Sequence, residues 1–82
     1  MRKIQNPYAK AGRIDYQCFG CSPNNPIGLH LEFWEKGDEV ITTWMPRKLL
    51  QGFRDILHGG IQATLLDEIA SWVVQTQCKT VV

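Results

Sequence analysis

The sequence is short of cysteines, long apolar runs and net charge, and each shortage removes a class of protein. Three cysteines in 82 residues are an odd number and too few for a disulfide framework. A reducing, cytoplasmic compartment is therefore the default expectation. The longest apolar stretches fall far short of the roughly 18–20 residues that a membrane span needs. The opening MRKIQNPYAKAG carries basic residues but no apolar h-region, so no signal peptide is expected. Nine Lys+Arg against eight Asp+Glu leave a formal charge of +1. That balance argues against a dedicated nucleic-acid binder, which carries a basic patch, and leaves no charged tail. No internal repeat, low-complexity tract or interdomain linker is present.

What remains is an ordinary globular composition, 44% hydrophobic, 21% charged and 10% aromatic. A chain this short buries only about 60–65% of its unfolded surface, so its stability margin is thin. Residues 1–12 are polar and weakly patterned, consistent with a short helix or an arm. The segment CFGCSPNNPIG over 18–28 is dense in turn-forming residues and predicts a compact loop. Leu29, Leu31 and Phe33 alternate with His30 and Glu32, and Trp34 continues a strand pattern. Lys36-Gly37-Asp38 signals a turn, and EVITTWM over 39–45 predicts the returning strand, with Val40, Thr42 and Trp44 on one face. Pro46 closes that strand, and an irregular connection runs to Leu57.

His58-Gly59-Gly60 then leads into a helix over 61–77, about 25 Å long. On a helical wheel Thr64, Asp67, Glu68, Ser71 and Gln75 form one polar stripe roughly 100° wide. Apolar side chains cover most of the remaining circumference, which predicts a core helix. A two-stranded hairpin is marginal in water and too small to wrap such a helix. Residues 78–82, CKTVV, read like the start of a further strand. The sequence thus reads as the front part of a larger α+β domain, or as one completed by a partner chain.

The chemistry sits in His58-Gly59-Gly60 and Asp67. Two glycines before a helix let its first N–H groups approach a ligand closely. The partial positive charge at that end favours an anion or a polarised carbonyl oxygen. Asp67, about two turns on at the edge of the polar stripe, is expected to be partly desolvated and so to serve as a base. A helix end that polarises a carbonyl, with a carboxylate nearby, suits acyl transfer or hydrolysis.

Residues 51–68, QGFRDILHGGIQATLLDE, resemble the signature of the hotdog-fold acyl-CoA thioesterases of the phenylacetyl-CoA type. Upstream, CFGCSPNNPIGLHLEF resembles an opening of one branch of that family, Cys-x-x-Cys-Gly-x-x-Asn-Pro-x-Gly-Leu. The resemblance implies an α+β hotdog fold, a long central helix wrapped by a curved antiparallel sheet. Here it implies one partial domain over 1–82, with an arm and loop over 1–28, a β-hairpin over 29–45, and the active-site turn and central helix over 58–77. It further implies a hydrolase acting on an acyl-CoA without a cofactor or metal. The expected assembly is a homodimer or homotetramer with active sites at the subunit interface, and neither nucleic acid nor membrane is an expected partner.

By the same resemblance, Asp67 activates water or attacks the thioester carbonyl. The backbone N–H of Gly60, or else of Gly59, polarises that carbonyl. His58 orients the loop and can touch the substrate. Gln51 lies near the position where relatives place an Asn or Gln that positions the water, although Gly52 occupies the spacing some of them use. Ser71, one helical turn past Asp67, is a further candidate for the substrate site; a plain polar-stripe residue is the competing reading.

Two departures stand out. Family members run to about 130–150 residues, an ordinary domain length, so the strands expected after the helix are lacking. Ser22 replaces the usual glycine after the second Cys, a change expected only to alter the turn. No Gly-x-Ser-x-Gly accompanies His58 to suggest a nucleophilic triad. Cys18-x-x-Cys21 lacks the second Cys/His pair that structural zinc wants, and no βαβ context marks it as redox-active. Packing or turn-forming cysteines are the expectation there. Trp34, Trp44 and Trp72 read as core or interface. Arg47, Lys48, Arg54 and Lys79 could meet CoA phosphates, against the simpler reading of a solvated face.

Overall fold

The computed structural model describes residues 1–10 and 15–77, so the reading of 78–82 as strand and the candidate cation Lys79 lie outside the described residues. The chain is α+β and divides into two compact units, Met1–Thr43 and Trp44–Val82. No helix among the described residues is long and apolar enough to cross a membrane.

The first unit carries a three-stranded antiparallel sheet, β1 (Arg2–Lys3), β2 (Trp34–Lys36) and β3 (Glu39–Ile41), in the order β1-β2-β3, with helix α1 (Pro7–Lys10) following β1. β2 and β3 form the expected hairpin, turning at Gly37, whose φ of 59° is the left-handed conformation that glycine adopts freely. The hairpin strands are shorter than the alternation predicts, and His30, with φ 54°, shows why. A left-handed residue interrupts the pleat, so 29–33 does not run on as part of β2. The period-2 burial survives the interruption. Leu29, Leu31 and Phe33 are buried while His30 and Glu32 are exposed. The N–H groups of Leu29 and Leu31 donate to the carbonyls of Phe19 and Gly20 (2.8 and 2.9 Å).

The arm supplies the third strand, which the weak pattern of 1–12 did not foretell. Arg2 stands opposite Glu35 and Lys3 opposite Trp34, with Ile4 N–H donating to the Phe33 carbonyl. Arg2 pairs with Glu35 at 2.8 Å and Lys3 with Glu32, charge pairs that blunt a short exposed strand. Each such surface pair contributes about 0.2–1 kcal/mol. Asn6 ends the strand and starts α1: its Oδ1 accepts from the N–H groups of Tyr8 and Ala9, and Pro7 fills the first helical position. The Asn6 amide also donates to the Tyr16 hydroxyl and to the Cys21 carbonyl, tying the arm to the loop.

That loop is built around Ser22, which is fully buried. Its hydroxyl donates to the Tyr16 carbonyl (2.6 Å) and accepts from Asn24 N–H (3.1 Å), while Ser22 N–H closes a turn on the Cys18 carbonyl (3.0 Å). Ser22 is therefore an anchor of the loop, a larger role than altering a turn.

The second unit opens with a 3-10 turn over Lys48–Leu50, followed by a narrow loop and helix α2 (Gly59–Gln77). The helix begins two residues before the expected start, because the glycines themselves are helical. At 19 residues it is about 28 Å long. The expectation of a core helix is not met. Trp72 is its one buried residue, Leu66 is 70% exposed, and Ala63 and Ala70 are exposed. The helix's own unit holds no strand among the described residues that could cover its apolar arc.

Candidate active site

The site grows from the narrow loop before α2. His58 N–H donates to the Leu50 carbonyl (2.9 Å), Gln51 and Leu57 form a β-bridge, and Gly52 N–H donates to the Ile56 carbonyl (2.8 Å). At the tip Ile56 N–H turns back onto Phe53 O (2.9 Å). Asp55 takes the left-handed conformation there (φ 63°), tolerable for Asp, and its N–H donates to the Gln51 side-chain oxygen (3.1 Å). A Cβ at Gly52 would lie 3.4 Å from His58 Cα, an ordinary contact between the two limbs. Phe53, Ile56 and Leu57 line one open hollow, with Phe53 and Ile56 themselves largely exposed, and Gln51, Gly52, His58 and Gly59 complete the wall. The cavity holds about 440 Å³, within the range of small-molecule pockets.

His58 caps the helix twice. Its carbonyl accepts from Ile61 and Gln62 N–H (3.0 and 3.1 Å), and its imidazole Nδ1 accepts from Gly60 N–H (2.9 Å). A ring accepting at Nδ1 in its neutral form carries its proton on Nε2. Gln62 adds a side-chain bond to the Leu57 carbonyl (2.9 Å). One of the helix's first donors is left over. Gly59 N–H has no partner among the described residues, and a Cβ at Gly59 would meet nothing within 4 Å. The open, unspent N–H at the cavity wall thus belongs to Gly59, while that of Gly60 is engaged by His58.

The sequence-expected residues therefore divide. Gln51, His58 and Gly59 share the cavity wall; Gly60, Asp67 and Ser71 are not part of it. Gln51 spends its side-chain oxygen on the loop tip. Asp67 lies seven residues past Gly60, about 10 Å along the axis on nearly the same helix face. It is exposed rather than partly desolvated. Ser71, a turn further, is half-buried, as is Glu68. Arg47, Lys48 and Arg54 are all exposed. The sequence pattern presents Phe53, Ile56 and Leu57 only as part of an irregular connection. The signal for this lining was the QGFRDIL string itself, apolar residues flanking a Gly and an Asp able to turn the chain. In comparison with known proteins, no family model, no curated protein and no solved structure matches this chain.

Proposed function

We propose that this chain carries the active site of a hotdog-type thioesterase, which hydrolyses an acyl-CoA or related thioester to a carboxylic acid and a thiol. The observation that carries the reading is the unspent Gly59 N–H at the wall of an apolar-floored cavity, at the start of a 19-residue helix that also bears Asp67. In this mechanism the thioester carbonyl oxygen accepts from Gly59 N–H, and the acyl group lies on Phe53, Ile56 and Leu57. Asp67 takes a proton from the attacking water, and the tetrahedral intermediate collapses with loss of the thiolate. Gly59 replaces Gly60 as the polarising donor, because His58 holds the Gly60 N–H.

Asp67 stands about 10 Å along the helix from Gly60 and outside the cavity wall. The carboxylate that serves a given cavity is accordingly assigned to Asp67 of a second copy, in a homodimer or homotetramer. The test is free-thiol release from a panel of acyl-CoAs. Asp67→Ala is expected to lose about 10²–10⁴-fold in kcat. Gly59→Pro deletes one N–H at a first helical position, where proline is tolerated, and is expected to lose about 10²–10³-fold. Retained turnover in Gly59→Pro would return the donor role to Gly60.

The exposure of Asp67 favours one second reading, a module that binds acyl-CoA without hydrolysing it. Saturable CoA binding with no thiol release, by an assembled oligomer, would establish it over the first.

A further inference from the structure

The cysteine pair Cys18 and Cys21 lies outside the candidate active site, and no step of the proposed hydrolysis uses it. Neither cysteine is in a disulfide, and their sulfurs lie within 4.8 Å of one another. The turn that holds them is fixed at several points. Ser22 N–H closes it on the Cys18 carbonyl, and Phe19 and Gly20 carbonyls accept from Leu29 and Leu31. The Cys21 carbonyl accepts from the Asn6 amide. Residues i and i+3 of such a turn have Cα atoms within about 7 Å, the span that a disulfide bridges. The two thiols differ in access. Cys18 is half-buried, while Cys21 is buried.

The Tyr16 hydroxyl lies 2.6 Å from Cys21 Sγ. The Asn6 amide donates to the hydroxyl oxygen; either the hydroxyl or the Cys21 thiol can donate across their contact, and against a Cys21 thiolate only the hydroxyl can. Burial, and then the Cys21 sulfur beside it, push Tyr16 well above the usual tyrosine range, so the group remains a donor at all ordinary pH values.

From these contacts we infer that Cys18 and Cys21 form a thiol–disulfide exchange site, Cys18 attacking and Cys21 resolving, whose substrate is a low-molecular-weight disulfide. In the first step Cys18, having given its proton to water, attacks one sulfur of the disulfide RSSR. A Cys18–SR bond forms, and RS⁻ leaves and takes up a proton. In the second step Cys21 loses its proton and attacks the Cys18 sulfur. The Cys18–Cys21 bond forms, and the second RS⁻ leaves and is protonated. The protein dithiol is oxidised by two electrons and RSSR is reduced to two RSH. Tyr16 is placed to donate to the Cys21 sulfur while it is an anion in that second step.

The experiment incubates the full chain with oxidised glutathione and follows it by intact mass, thiol alkylation and peptide mapping. A Cys78→Ser background removes the third cysteine from the count. The expected product is a Cys18–Cys21 disulfide with no glutathione retained, reversed by reduced dithiothreitol. Cys21→Ser is expected to stop at one glutathione on Cys18, and Cys18→Ser to react at least tenfold more slowly. Tyr16→Phe is expected to close about tenfold more slowly with its first step unchanged. A parent chain that halts at the glutathione adduct, or does not react, would overturn the assignment. Closure of Tyr16→Phe at the parent's rate would overturn the role given to the hydroxyl.

Discussion

Replacing Ser22 with alanine removes one oxygen from a fully buried side chain and breaks two hydrogen bonds, to the Tyr16 carbonyl and from Asn24 N–H. Each bond contributes about 1 kcal/mol net, and a buried group left without its partner costs about 1–3 kcal/mol. Asn24 is exposed, so water can replace its lost acceptor; the Tyr16 carbonyl, on a half-buried residue, has less recourse. The expected loss is therefore about 2 kcal/mol. A chain of this length has about 4–12 kcal/mol to lose, and the unfolding midpoint should fall by roughly 10 °C. Ser22→Gly, the residue carried by the family the sequence resembles, should lose as much, because it deletes the same hydroxyl. Urea and thermal unfolding, followed by far-UV circular dichroism and tryptophan fluorescence, measure both variants. A change within about 0.5 kcal/mol, typical of a surface substitution, would refute the anchoring role.

Three further outcomes follow from the backbone and the half-buried Tyr16. Gly28→Ala places a Cβ 2.7 Å from the Phe19 carbonyl oxygen, so the loop must shift; a loss of about 1–3 kcal/mol in chemical unfolding is expected. At the left-handed Asp55, Asp55→Gly should raise stability by about 0.5–1 kcal/mol and Asp55→Val should lower it by about 1–2 kcal/mol, with helix content unchanged. Tyr16 holds its proton more firmly in the folded chain than in the unfolded one, first through burial and then through Cys21. Above the ordinary tyrosine range near 10 the folded state thus binds more protons, and stability should fall as pH rises. Tyr16→Phe should flatten that alkaline decline, and an ultraviolet titration should show one late-ionising tyrosine that the variant lacks.

The elements that sequence reading places well are those whose signals are local. Gly37 marks the hairpin turn because a left-handed residue is required there, and the glycines before α2 mark its start. Leu29, Leu31 and Phe33 reveal their buried face through alternation, even though His30 breaks the strand that alternation ordinarily implies. What was not legible depends on pairing across distance. Strand β1 exists because Arg2 and Lys3 find Glu35 and Trp34 more than thirty residues away, and nothing in the weak pattern of 1–12 encodes that register. Its neighbour Asn6-Pro7, by contrast, is a local helix-cap signal. The same division holds at the site. His58, Gly59 and Gln51 lie close in sequence and share one wall. The preference for Gly60 over Gly59 turns on where an imidazole nitrogen points, which no spacing reports. The burial expected of Asp67 depended on a wide apolar arc becoming enclosed, and Ala63, Leu66 and Ala70 on that arc are exposed.

The central claim is that a thioester carbonyl is polarised at Gly59 and hydrolysed with Asp67 as base. Thiol release from acyl-CoAs of graded length and aromaticity, monitored by a thiol-reactive dye, tests it most directly. The account predicts turnover by the parent chain that depends on enzyme concentration through assembly and falls at least 100-fold in Asp67→Ala. Turnover by Asp67→Ala equal to the parent's, or CoA binding by an assembled parent with no thiol released, would contradict it.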